Sequence, residues 1–143
     1  MFVKQISVFL ENKKGRLAEV TGILASAGIN IRALSLADMA DFGVLRLIVN
    51  DRPRCLRILR EHDLVAQETD VIAVEMEDRP GGLHRVVEIL EKADINIEYM
   101  YAFFEKSAAN AVVVFKIDDS DSALAALRAG GIVPLSDEAI ANL

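Results

Sequence analysis

The sequence predicts an α+β fold made of two copies of one small unit, each with the order strand, helix, strand, strand, helix, strand. Residues 6–20 read I-S-V-F-L-E-N-K-K-G-R-L-A-E-V, and residues 72–86, 66 positions later, read I-A-V-E-M-E-D-R-P-G-G-L-H-R-V. At the same offset, residues 27–31 read A-G-I-N-I and residues 93–97 read A-D-I-N-I. In both copies, period-two runs and helical runs follow one another in the same order, which indicates an internal duplication.

The first unit begins with a strand from Lys4 to Leu10, whose apolar alternation predicts one well-buried face. A polar turn ends at Gly15. Apolar residues at helical spacing then predict a helix from Arg16 to Ala27, which Gly28 ends in a left-handed conformation. The remaining elements are two strands, a helix with an Asp cap and a short strand: Ile29 to Ala37, Val44 to Val49, a helix starting at Asn50-Asp51-Arg52-Pro53, and Val65 to Glu68.

The second unit repeats this order. Asp94 takes the place of the helix-ending glycine, since Asp tolerates the left-handed conformation better than most residues. Pro134 restricts the last strand to an edge, and the stretch Ser136-Asp137-Glu138 is expected to cap a short final helix. The elements are, in order, a strand from Asp70 to Met76, a helix from Leu83 to Ala93, strands from Ile95 to Phe104 and Ala111 to Ile117, a helix from Ser120 to Ala129, and a strand from Ile132 to Leu135.

This element order is the split β-α-β, or ferredoxin-like, arrangement. Two helices then cover one face of a four-stranded antiparallel sheet in each unit, and the other face is left for a partner. We predict two domains, 1–68 and 69–143, with almost no linker between them. Units of this size are near the lower limit for an independent core, so we expect the two to pack together or against a second chain.

Composition narrows the range of functions. A net charge of −6 and a pI of about 4.9 argue against a nucleic-acid partner, which needs a basic surface. No apolar run approaches the ~20 residues that span a bilayer, and the N-terminal residues lack the apolar core of a signal peptide. The chain has a single cysteine, Cys55. We therefore expect a cytoplasmic protein that binds no membrane.

The two glycine-ended turns are the strongest candidates for a binding site. A helix N-terminus offers free backbone N–H groups, and a glycine lets a ligand approach them closely, so each turn suits an α-carboxylate. A side-chain oxygen of Asn12 or Asp78 is placed to hold an α-ammonium group. In the alternative interpretation, Gly15 and Gly81 only permit tight turns and the two polar residues only cap helices.

Both repeats resemble the ACT domain, a small ligand-binding regulatory module of enzymes and regulators of amino-acid metabolism. The family pattern, Asp/Asn-x-Pro-Gly-x-Leu followed by Ile-Asn-Ile, is matched fully by 78–83 and 95–97. Residues 12–17 and 29–31 match it with Lys14 in place of proline. The first repeat is also similar to the start of the small regulatory subunit of acetolactate synthase, which shares its I-S-V-x-x-E-N turn.

The resemblance implies that the strand after each first helix lies across a seam from a neighbouring module and completes the ligand pocket. It implies a non-catalytic sensor that binds a small amino acid or related metabolite, as a homodimer and without a cofactor or metal. The ligand-binding residues predicted on this basis are Asn12, Lys14, Gly15, Arg16, Leu17, Asn30, Ile31, Asp78, Pro80, Gly81, Gly82, Leu83, Asn96 and Ile97.

Two other functions stay open at this stage: a regulatory subunit that controls a partner enzyme, and a small enzyme on the same scaffold. The remaining candidate residues favour structural roles. We expect three aromatic residues of one strand, Tyr99, Tyr101 and Phe103, to pack at the sheet face or at an interface between units. His62 and His84 are expected to bind no metal, and Cys55 is expected to lie in the core. The arginines of the second helix are expected to be solvated: Arg52, Arg54, Arg57 and Arg60.

Overall fold

A computed structural model describes residues 2–104 and 109–142. The predicted domain ends at Met1 and Leu143 lie outside the described residues. The elements are β1 (Val3–Glu11), α1 (Arg16–Ser26), β2 (Ile31–Met39), β3 (Phe42–Val49), α2 (Arg52–Glu61), β4 (Val65–Glu77), α3 (Gly82–Lys92), β5 (Ile97–Phe104), β6 (Asn110–Ile117), α4 (Ser120–Ala129) and α5 (Asp137–Ala141). Contacts divide these residues into a first unit, 4–69 with the described part of 140–143, and a second unit, 70–139 with 2–3.

In the first unit, β3 lies between β1 and β2 and pairs antiparallel with both. Leu45 and Leu47 of β3 align with Val8 and Ile6 of β1, so their side chains share one face. Apolar residues of α1 and α2 pack on that face and complete the first core: Val20, Leu24, Cys55 and Leu59.

In the second unit, β6 lies between β4 and β5, again with antiparallel pairing. Phe115 of β6 aligns with Ile72 of β4 and is fully buried. The second core forms around these two side chains with residues of α3 and α4: Val86, Leu90, Ala123, Leu124 and Leu127. The α+β, ferredoxin-like prediction is therefore confirmed for both units.

Helix ends follow the predicted chemistry. The Asp51 carboxylate accepts a hydrogen bond from the Arg54 backbone N–H at 3.2 Å and caps α2. After α1, Gly28 has φ +72°, and after α3, Asp94 has φ +58°, so both residues adopt the predicted left-handed conformation. Ser136 Oγ accepts from the Ala139 N–H at 3.0 Å at the start of α5. None of the described helices is both long enough and apolar enough to cross a membrane.

Two strand predictions are wrong. The predicted strands from Val65 to Glu68 and from Asp70 to Met76 are one strand, β4, because no glycine or proline between them interrupts the extended chain. The predicted strand from Ile132 to Leu135 is a single bridge between Val74 and Pro134, beside which the Leu135 N–H donates to the Ala73 carbonyl at 2.7 Å. Proline lacks the N–H that a longer ladder at this edge requires.

The prediction that β1 has one buried face is also wrong. Gln5 and Ser7, on the face opposite the first core, are buried, and Gln5 is completely inaccessible. The Gln5 amide donates to Ser7 Oγ at 3.1 Å, which provides a hydrogen bond for a buried polar group. A polar residue in an alternating strand therefore did not indicate exposure to solvent here.

Cys55 is fully buried on the inner side of α2, as predicted. Burial, with a smaller contribution from the Asp51 carboxylate, raises the pKa of its thiol from 9.0 to about 11. A rise of two pKa units lowers the thiolate fraction about a hundredfold, so we expect the native protein to react with Ellman's reagent at about pH 8 at least a hundredfold more slowly than the unfolded chain. The rate in denaturing guanidinium chloride is the control.

The raised pKa of the Cys55 thiol also makes the stability of the folded protein depend on pH. Above pH 9.0 the unfolded chain loses the Cys55 proton before the folded chain does, so this thiol's contribution to stability is complete below that pH and is lost as the pH rises towards about 11. In the experiment with Ellman's reagent, equal rates for the native and the unfolded protein would contradict the burial of the Cys55 thiol.

Candidate functional site

The turn between β4 and α3 brings backbone atoms unusually close together. Gly81 has φ +87°, a conformation that favours glycine, and the Gly82 N–H donates to the Arg79 carbonyl at 3.0 Å. A Cβ atom added to Gly82 would overlap the Glu77 carbonyl oxygen. The start of α3 is therefore held against the end of β4 by a residue without a side chain.

A cleft of about 290 Å³ opens beside this turn. Its charged groups include the Glu77 carboxylate and the Arg79 guanidinium, which form an ion pair. The Arg85 guanidinium donates to the Gly130 carbonyl at 3.1 Å and, among the described residues, pairs with no carboxylate. The walls are formed by residues of β4, the turn after it, α3, β6 and the segment after α4: Glu75, Met76, Glu77, Arg79, Gly81, Gly82, Arg85, Val86, Asn110, Gly131, Ile132 and Val133.

The first unit has a corresponding cleft of about 200 Å³ beside its own glycine turn. Gly15 has φ +91°. The Arg16 guanidinium contacts the Glu19 carboxylate at 2.9 Å and the Glu11 carboxylate at 3.4 Å, and Lys13 Nζ lies 2.8 Å from Glu11. The Lys13 hydrogen bond and charge, together with Arg16, lower the pKa of Glu11. The cleft is lined by Leu10, Glu11, Asn12, Lys13, Arg16, Leu17, Leu36, Ala37 and Gly43.

The two clefts differ at equivalent positions of the repeat. Gly82 in the second unit corresponds to Arg16 in the first, and Arg85 corresponds to Glu19. In the first unit these positions hold an ion pair with each other. In the second unit one position has no side chain and the other carries a cation without a carboxylate partner among the described residues. The second cleft is the larger of the two, and although Glu75 and Glu77 also line it, its Arg85 guanidinium is a charged donor that no carboxylate of the described residues engages.

The interpretation that Asn12 and Asp78 only cap helices is wrong. Glycines occupy the N-cap positions of α1 and α3, and within the described chain no side chain caps either helix. By contrast, the Asp51 and Asp119 carboxylates cap α2 and α4. The Asn12 side-chain amide instead donates to the Ala40 carbonyl at 3.1 Å. The two helices that follow glycine turns therefore keep first-turn N–H groups that no side chain satisfies.

Five of the residues predicted from the sequence line a cleft: Asn12, Arg16 and Leu17 in the first unit, and Gly81 and Gly82 in the second. Five others belong to the same turns and helix starts but not to the cleft walls: Lys14, Gly15, Asp78, Pro80 and Leu83. Whether any of them contacts a ligand stays a prediction.

The Ile-Asn-Ile motifs lie elsewhere in their own units. The Asn30 N–H donates to Asn50 Oδ1 at 2.9 Å, and the Asn96 N–H donates to Asp118 Oδ1 at 3.2 Å. At the same places the Asn50 N–H donates to the Asn30 carbonyl at 3.1 Å and the Asp118 N–H to the Asn96 carbonyl at 3.4 Å. Strands β2 and β5 begin at Ile31 and Ile97, two residues later than predicted. The predicted ligand contacts of the four motif residues, Asn30, Ile31, Asn96 and Ile97, stay predictions.

Sequence reasoning missed the wall of the second cleft that comes from the segment after α4. The sequence pattern indicates only a helix end at Gly130 and Gly131, and only a helical position at Arg85. Gly131 has φ +80°, and a Cβ on Gly130 would lie 2.6 Å from Ile89 Cδ1. Two adjacent glycines therefore marked a close backbone approach as well as a helix end.

Comparisons with known proteins identify a family and several similar structures. The profile of a family described as an ACT domain pair matches residues 1–141. Protein BT0572 from Bacteroides thetaiotaomicron has a similar structure, with a TM-score of 0.93 and 37% identity, covering 100% of this chain and 98% of that one. No match was found among curated proteins.

Two aspartate kinase structures share the fold at lower identity. The ligand-free regulatory subunit from Thermus thermophilus has a TM-score of 0.64 and 18% identity, covering 89% of this chain and 91% of that one. Aspartokinase III from E. coli has a TM-score of 0.56 and 18% identity, covering 90% of this chain but 32% of that one.

Sequence and structure lead to one assignment. The duplicated glycine turns, the two ferredoxin-like units and the family profile all describe the same pair of domains. The family profile accounts for residues 1–141 of the 143 in this sequence. This chain belongs to the ACT domain pair family.

Proposed function

We propose that this chain is a cytoplasmic regulatory protein that binds a small amino acid or related metabolite in the cleft of its second unit. The observation that carries the proposal is the combination, in one small cleft, of an Arg85 guanidinium with no carboxylate partner among the described residues and a helix start that no side chain caps. Both features favour a carboxylate. The cleft volume of about 290 Å³ suits a ligand smaller than the drug-sized molecules that occupy roughly 300–1,000 Å³.

The first cleft is proposed as the weaker site. Its Arg16 already pairs with Glu19 and Glu11, so a ligand carboxylate must displace a protein carboxylate to reach this cation. The free energy needed to break the Arg16 ion pairs lowers the affinity of the first cleft for an anion. A single ligand per chain at moderate concentration is the expected stoichiometry.

Thermal unfolding in the presence of each proteinogenic amino acid tests the proposal. A ligand at a hundred times its Kd adds about 2.7 kcal/mol of stability, which for a chain of this length raises the unfolding midpoint by roughly 5–10 °C. We expect a shift with a small subset of amino acids and none with their decarboxylated amines. A midpoint that no amino acid raises would contradict the proposed function.

We also propose that the protein is a homodimer. On the edge strand β2, Leu34 and Leu36 are about half exposed, at 52% and 53%, and Leu36 also lines the first cleft. Burying such side chains against a second copy is favourable. Light scattering on the samples used for thermal unfolding measures the mass with and without ligand, and a monomer under both conditions contradicts this part of the proposal.

A further inference from the structure

The side chains that line the second cleft divide by exposure into an apolar floor and a polar rim. We define the floor as Met76, Val86 and Ile132. Val86 and Ile132 are buried members of the second core, and Met76 is partly buried and packs against that core. The rim consists of the charged and polar residues of the cleft, all of which are exposed: Glu75, Glu77, Arg79, Arg85 and Asn110.

The floor favours an apolar ligand group. Its three side chains are aliphatic or thioether groups, so none of them is a strong hydrogen-bond donor or acceptor. A hydroxyl or charged group placed against this floor would lose its hydrogen bonds to water and gain none from these side chains, which is unfavourable. An aliphatic group placed there loses only its contact with water, which is favourable.

The rim has one cation and one carboxylate that are left for a ligand. The Arg79 guanidinium and the Glu77 carboxylate form an ion pair with each other. Among the described residues, Arg85 pairs with no carboxylate and Glu75 forms no ion pair. One charge of each sign matches the α-carboxylate and the α-ammonium group of a single amino acid. Within the described part of the cleft, a charged ligand side chain would find no unpaired counter-charge.

We propose that the second cleft is selective for amino acids with an aliphatic side chain. The α-carboxylate pairs with Arg85, the α-ammonium group pairs with Glu75, and the side chain covers the floor. This inference rests on the proposed function and adds the class of its ligand. It also assigns the α-ammonium group to Glu75, which lines the cleft, and not to Asp78, which does not.

Isothermal titration of the full chain with matched amino acids tests the selectivity. Threonine has nearly the shape of valine but carries a hydroxyl group, and lysine is norleucine with a terminal ammonium group. We expect threonine to bind at least about tenfold more weakly than valine, and lysine at least about tenfold more weakly than norleucine, because the floor offers the added group no partner. From alanine to 2-aminobutyrate to norvaline, the affinity should rise about fourfold with each methylene group.

Val133→Thr tests the apolar lining from the side of the protein. Val133 lines the cleft and is 75% exposed, so a threonine of the same shape should leave the fold intact. We expect this variant to bind valine about fourfold more weakly, since a methyl group that the ligand would cover is replaced by a hydroxyl. The matched control is Val65→Thr, because Val65 is also exposed, at 60%, but does not line the second cleft.

Glu75→Gln tests the charge pairing at the rim. We expect this variant to bind valine at least about tenfold more weakly, because it removes a charge-assisted hydrogen bond to the α-ammonium group. Its affinity for isovalerate, which is valine without the ammonium group, should stay unchanged. Glu91→Gln on α3 is the matched control, since Glu91 is exposed and lines neither cleft.

The outcomes distinguish this inference from the proposed function. If no amino acid binds, the proposed function fails and the selectivity falls with it. If threonine and lysine bind as tightly as valine and norleucine, the sensor function stands and the aliphatic selectivity is disproved. The assignment of the apolar lining is overturned if Val133→Thr binds valine no more weakly than Val65→Thr does. The role of Glu75 is overturned if Glu75→Gln changes the affinities for valine and isovalerate equally.

Discussion

Gly82→Ala should lower the free energy of unfolding by about 3 kcal/mol, because the new Cβ atom would overlap the Glu77 carbonyl oxygen and the backbone must shift to admit it. No flexible side chain lies at this contact that could move aside. Guanidinium chloride denaturation followed by circular dichroism measures the change. The variant is also expected to alter the shape of the second cleft, since Gly82 forms part of its wall.

Two other glycines provide matched controls for this prediction. Gly22 lies within α1, and no heavy atom lies within 4 Å of the position that an alanine Cβ would occupy, so Gly22→Ala should stabilise the protein by up to about 1 kcal/mol. Gly81 has equally open surroundings but φ +87°, so Gly81→Ala should cost about 1–2 kcal/mol through backbone strain alone. If all three variants unfolded at the same denaturant concentration, the close approach at Gly82 would be disproved.

Arg85→Gln is expected to weaken amino-acid binding by about 10- to 100-fold, the effect of removing a charge-assisted hydrogen bond worth about 1.5–3 kcal/mol. Glutamine retains an amide donor for the Gly130 carbonyl, so the local structure should survive. Isothermal titration with an amino acid found by thermal unfolding measures the loss. Arg85→Glu, which places in the second cleft the residue type of the equivalent Glu19, should abolish binding.

Arg128→Gln on α4 is the matched control, because it removes the same charge from a residue that lines neither cleft. An unchanged affinity in Arg85→Gln would show that the carboxylate is bound elsewhere. If Arg128→Gln weakened binding as much as Arg85→Gln, net charge and not the cleft would explain the effect.

Much of the fold was predictable because its signals are local. Alternating apolar residues identified β1, a run of β-prone residues identified β6, helical spacing identified α1, and Asp51 marked the start of α2. Left-handed residues at helix ends were predictable for the same reason, since Gly28 and Asp94 relieve backbone strain within one turn. The errors concerned pairing, because whether the segment at Pro134 joins a ladder depends on a strand about sixty residues away.

The candidate site was predictable only in part. The glycine turns could be located because a left-handed residue before a helix requires glycine, as Gly15 and Gly81 show. The difference between the two clefts could not be predicted from the sequence, although Arg16 and Gly82 occupy equivalent positions in the two repeats. Its meaning depends on where Glu11, Glu19 and Gly130 lie in space.

By itself, the sequence determined that this protein is a duplicated α+β unit with a glycine turn before the first helix of each copy. Periodicity and turn chemistry act over a few residues, so they can be read along the chain. Only the tertiary structure decided that Arg16 beside the first cleft pairs with Glu19 and Glu11, while Arg85 of the second cleft lies beside Gly131 and pairs with no carboxylate of the described residues. Charges pair according to distance in space, and the chain segments that meet there are far apart in sequence.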